Sequence, residues 1–136
     1  MRFKVLGAAL LAFAASGAGA QAPDDRAAAA VRQKLEPFRA EWTATWELLY
    51  AIGACERHLK PDDVDFYIRE YAAPTPSSDN VIIKESQRLY SHAYVTGRRD
   101  AAELNFDVTQ CQRVLDARQA EVAKARADRA RHTAGK

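Results

Sequence analysis

Four residues of this chain make a candidate metal set by type: Cys55, His58, His92 and Cys111. Zinc takes thiolate and imidazole ligands, and four of them closing a tetrahedron make a structural site. Cys55 and His58 stand at Cys-x-x-His spacing, but His92 and Cys111 form no second close pair. Two cysteines in an oxidising compartment read instead as a single disulfide. A Cys55–Cys111 bridge is therefore the expectation, with no metal and no cofactor.

Other reactive groupings are weaker. Asp62, Asp63 and Asp65 suggest a calcium loop, yet the glycine and the distal glutamate of an EF-hand are missing. Acidic residues opening a helix explain Asp62 and Asp63 without a metal. Ser91 and His92 are adjacent, so on a helix they point in different directions. The sequence holds no Gly-x-Ser-x-Gly elbow, no His-Glu-x-x-His pair and no Cys-x-x-Cys pair. Glu41, Glu47, Glu56 and Glu85 read as ordinary helix surface. No enzyme is expected from these residues.

The aromatic residues offer binding rather than bond-making. Trp42, Trp46, Tyr50, Phe66, Tyr67, Tyr71, Tyr90 and Tyr94 recur along the middle of the chain. Such a set most simply fills a core. Trp42, Tyr67, Tyr90 and Tyr94 could also line an apolar ligand site between helices. Trp46 and Tyr50 sit one turn apart, somewhat off the main apolar stripe. They either widen the buried face or form a patch for a partner.

Helices must position all of these groups. Ala28, Val31, Leu35, Phe38, Trp42, Thr45, Leu49, Ile52 and Leu59 follow an apolar stripe spaced mainly by threes and fours, broken at Glu56. Pro37 interrupts it, so a firm first helix is expected over 36–58, with a looser segment before it. Pro61, at a first helical position ahead of Asp62 and Asp63, opens a second helix over 61–71. Leu59 and Val64 are spaced as its hydrophobic staple. Ala73 to Ser78, with two prolines, is a loop. A third helix begins at Asn80 and reaches Thr96, ending at Gly97 or running on through Ala101. Asp107 and Gln110 form a capping box for a fourth helix over 108–129, with Phe106 and Cys111 as its staple. No strand alternation persists. The expected fold is all-α, a small antiparallel bundle of about four helices stapled by one disulfide.

The chain opens with Met1–Ala20, a short basic start followed by an uncharged apolar run and small residues at 18–20. This reads as a secretory signal peptide cleaved before Gln21, with too short an apolar run to leave a membrane span. The full chain has 136 residues and a formal net charge of +2. Removing Arg2 and Lys4 brings the two signs into balance, which leaves no general argument for nucleic acid or anionic lipid. The basic residues of 113–136 are interleaved with alanine and acids and read as a solvated helix face. The organisation expected is a signal at 1–20, a flexible or helical lead-in at 21–35, a helical domain at 36–129 and a disordered tail at 130–136. The protein is expected to be periplasmic or secreted. Its expected role is a non-enzymatic interaction module that binds another envelope or periplasmic protein, with Trp46 and Tyr50 at the contact. The alternative is a carrier for a small apolar ligand.

Overall fold

A computed structural model describes residues 23–135. The signal-peptide reading and its cleavage point lie outside the described residues. The chain forms α1 (Pro23–Leu35), α2 (Arg39–Cys55), α3 (Pro61–Tyr71), α4 (Asn80–Leu104) and α5 (Val108–Ala134). Single 3-10 turns at Glu36–Phe38 and Glu56–His58 flank α2. Pro37 has no N–H to continue an α-helical ladder, and the chain tightens into a 3-10 turn there. α1 and α2 are thus one interrupted helical run, and the bundle has four helical arms. None of the described helices is long and apolar enough to cross a membrane.

The helix ends follow local chemistry. Asp107 accepts from Gln110 N–H while the Gln110 side chain accepts from Asp107 N–H, so the capping box forms. Asp79 caps α4 by accepting from Val81 N–H at 2.9 Å. Asn105 ends α4 in the left-handed region, φ 44°, and its N–H bonds the Ala101 carbonyl. Asparagine tolerates that conformation better than other side-chain-bearing residues.

Consecutive arms alternate in direction. Cys55 meets Cys111, Glu47 meets Arg118, and Glu41 meets Arg126 and Arg129, so α5 runs antiparallel to α2. α3 carries the chain back, from Val64 beside Tyr94 to Glu70 beside Arg126. α4 then runs the same way as α2, and these two make the most extensive helix contact. They approach backbone to backbone at Gly53 and Gly97. A Cβ on Gly53 would overlap the Tyr94 carbonyl, and a Cβ on Gly97 would overlap the Tyr50 carbonyl. Gly97 therefore does not end the third arm; it is the crossing point.

α2 is the central element, touched by α3, α4 and α5. Its buried sector is wider than a single stripe: Trp42, Leu48, Leu49, Ile52 and Cys55 all sit in the core, joined by Val64, Ile82, Tyr90, Cys111, Leu115 and Val122. The stripe also fails where no partner covers it. Ala28 and Val31 on α1 are exposed. The lead-in is helical from Pro23, and α5 continues past Arg129 to Ala134, so the segment expected as a tail is helix up to that residue. Alanine and arginine make up most of this last stretch and favour helix even without packing.

Candidate functional site

The disulfide joins the last residue of α2 to the first turn of α5, with Cα atoms 5.6 Å apart. Both sulfurs are buried. The adjoining corner is held by polar contacts. Arg57 donates to Asn105 Oδ1 and to the Phe106 carbonyl, each at 3.0 Å, and His58 Nε2 lies 2.8 Å from that carbonyl. His92 is exposed on α4, away from the bridge. Among the described residues no group of three or more His, Cys, Asp or Glu is arranged to hold a metal ion.

Trp46 and Tyr50 lie on the side of α2 that its neighbours cover only in part, next to the exposed Thr43. Both are half-buried, and their rings stack at 5.3 Å with planes 15° apart. Tyr50 donates to Asp100 at 3.2 Å, and Arg99 donates to the other oxygen of that carboxylate. Burial and the Asp100 carboxylate both push the Tyr50 phenol up, while Arg99 holds Asp100 below the usual carboxylate range. The pair is therefore a fixed ridge of neutral aromatic surface. A groove lies on each side of it. One, about 440 Å³, has Leu35, Trp42, Trp46 and Leu89 as its apolar lining and Arg32, Arg39, Glu47 and Glu85 around them. The other, about 330 Å³, runs between Trp46 and Tyr50 on α2 and Phe106, Val114 and Arg118 beyond.

The four aromatics expected to line an internal ligand site are not brought to one cavity. Trp42 borders the larger groove and is otherwise buried; its indole N–H donates to Thr75 Oγ1 at 2.8 Å. Tyr90 is buried on the far side, facing Thr45 and Thr75, and burial pushes its phenol up. Tyr94 borders a separate hollow near Glu56, Leu59 and Val64. Tyr67 packs on Tyr71 and its hydroxyl accepts from Gln119. Phe66, at 54% exposure, stands out to solvent. The interior between these residues is closed by a polar seam that pins the 72–79 loop. Thr75 N–H donates to Ser86 Oγ, which donates to the Ile83 carbonyl. Among the described residues, Thr45 Oγ1 is the one fully buried side-chain polar atom without a hydrogen bond.

Two surface readings need correction. Glu41 is 6% exposed, not on the helix surface. Its carboxylate takes ion pairs from Arg126 and Arg129, and Arg126 also approaches Glu70 at 3.9 Å. These arginines are not part of a solvated face. Arg126 lies over the Tyr71 ring and Arg129 over the Phe38 ring, each 5.3 Å from the centroid. A buried carboxylate is tolerable only when charge and hydrogen bonds replace its lost water, and the guanidinium plane also suits an aromatic face. Glu41 and Thr45 sit one turn apart on the inner side of α2. Arg126 and Arg129 are three apart on α5, and that spacing was the available signal. Glu47, Glu56 and Glu85 pair with Arg118, Arg98 and Arg88.

No family model, curated protein or solved structure matches this chain.

Proposed function

We propose that the protein is an exported, non-enzymatic helical module that binds another envelope protein through the partly covered side of α2. The observation that supports this is the Trp46–Tyr50 ridge. It is a stacked, half-exposed aromatic pair set between two open grooves. Rigid aromatics with little rotamer entropy left to lose dominate interface energies when a partner dries them. An amphipathic helix is the partner element that fits, since each groove is lined by both apolar and charged side chains. A buried disulfide is compatible with the oxidising compartment that export implies.

The test starts from protein purified from its own host. A captured envelope protein is identified, purified and titrated against wild type and against Trp46→Ala/Tyr50→Ala. The double variant should bind roughly tenfold more weakly or worse. It should keep its far-UV CD spectrum and its disulfide. Unchanged affinity in a folded variant overturns the placement. The larger groove also has a volume typical of small-molecule sites, and Trp42 borders it. Native mass spectrometry of the same preparation would reveal a retained small molecule, and that outcome would favour the carrier reading.

A further inference from the structure

We propose that α1 pairs antiparallel with α1 of a second copy, making a weak two-fold dimer. α1 has 13 residues, and Asp24 to Lys34 are all exposed; only Leu35 packs against the core. A helix this short is marginal in water without packing. Its ion pairing to the rest of the chain, among the described residues, is confined to Lys34–Asp79 at 2.8 Å.

One face of α1 carries Asp24, Ala28 and Val31, at spacings of four and three, and continues into Leu35, which is packed against the core. Val31 is 41% exposed on it. Asp25 and Arg32 lie seven residues apart, on the same flank of that face. Arg26 and Gln33 fall on the opposite side of the helix. When two such helices pair about a two-fold axis, each flank meets the same flank of the other copy. Asp25 of one copy then faces Arg32 of the other, and the contact occurs twice. Ala27 to Ala30 keep the side chains short at the centre, so the two axes can approach closely. The acidic first turn of each helix lies against the basic last turn of the other, and the two macrodipoles oppose. A parallel pairing would instead bring the acidic turns together. The face is thus complementary to itself in charge and dipole, which singles out a second copy as its occupant. The surface involved is small, so a weak dimer is expected.

The pairing shares Arg32 and Leu35 with the larger groove but uses neither Trp46 nor Tyr50, so the two fail separately: Trp46→Ala/Tyr50→Ala should leave self-association unchanged. Sedimentation equilibrium of the exported protein, from about 10 µM to about 1 mM, should show a monomer–dimer equilibrium. Asp25→Arg alone and Arg32→Asp alone should each weaken the dimer roughly tenfold, because each replaces two attractions by two repulsions. An equimolar mixture of these two variants should restore it, since the mixed pair regains opposite charges at both contacts. All three proteins should keep the same far-UV CD spectrum and the same disulfide, because the substitutions lie outside the core. Wild type monomeric over the whole range overturns the proposal. So does a dimer indifferent to both substitutions, or a mixture no more associated than its separate components.

Discussion

Glu41 is the one buried charged residue among the described residues. It is buried on the central helix, and its neutralisation depends on two arginines that reach it from α5. Arg129 is the closer and the more buried of the two. Arg129→Ala removes that partner and the cover over Phe38 while Glu41 remains buried. Because Arg126 can still compensate in part, the loss should be about 2 kcal/mol, not the full cost of stranding a buried charge. Urea denaturation of the variant tests this; a loss below about 0.5 kcal/mol would mean the pair behaves as an exposed salt bridge. Gly97 gives a prediction of opposite sign to the usual one. In an open helix, Gly→Ala stabilises by about 1 kcal/mol. Here the added methyl meets the Tyr50 carbonyl, and the two backbones must separate. Gly97→Ala should cost about 3 kcal/mol, seen as a lower Tm.

At the scale of elements, helix starts carry their own charge chemistry. Asp79 caps α4 and also pairs with Lys34 of α1. The bond with Lys34, and then the Val81 N–H, hold its carboxyl below the usual carboxylate range. A carboxyl depressed in the folded state stabilises above its unfolded pKa of about 3.9, and that contribution disappears as pH falls through the folded value. Asp79→Asn keeps a capping oxygen without the charge. Wild type should therefore be the more stable at pH 7, and the difference should vanish on acidification below about pH 4. Parallel urea curves for the two proteins across that range make the check; a constant gap would show that Lys34 and the dipole do not matter. The helix boundaries near Pro61, Asn80 and Val108 were all legible, because caps and prolines act over a few residues. The far ends of α4 and α5 were not, since alanine-rich and charged stretches stop only where a cap or a partner stops them.

At the scale of the molecule, the disulfide closes the chain between residues 56 positions apart. Cross-linking at that separation restricts the unfolded chain by an amount worth about 4 kcal/mol. Cys55→Ser/Cys111→Ser should lose a stability of that order, and it should lose it without changing the helical content at low temperature. Thermal melts followed by CD, with and without reductant on wild type, measure it. A loss near zero would mean the corner made by Arg57, His58 and Phe106 already constrains the two helices.

Local signals were enough to read an all-helical chain, its capping box, its two-proline loop and the partnership of Cys55 with Cys111. Each of these depends on neighbours along the chain or on there being only two thiols to join. Which side of each helix meets another was a different matter. Glu41 looked like surface until α5 placed Arg126 and Arg129 over it. Gly97 read as either a helix end or a position along a longer helix until α4 crossed α2 there. Ala28 and Val31 continued the apolar stripe, but no helix of the same chain covers them. Burial is decided by what lies across the gap, and a one-dimensional pattern contains periodicity but not the neighbour. The sequence by itself therefore determined the helices and their staple, while only the tertiary structure decided that α2 is the centre and that Trp46 and Tyr50 stay half-exposed on it.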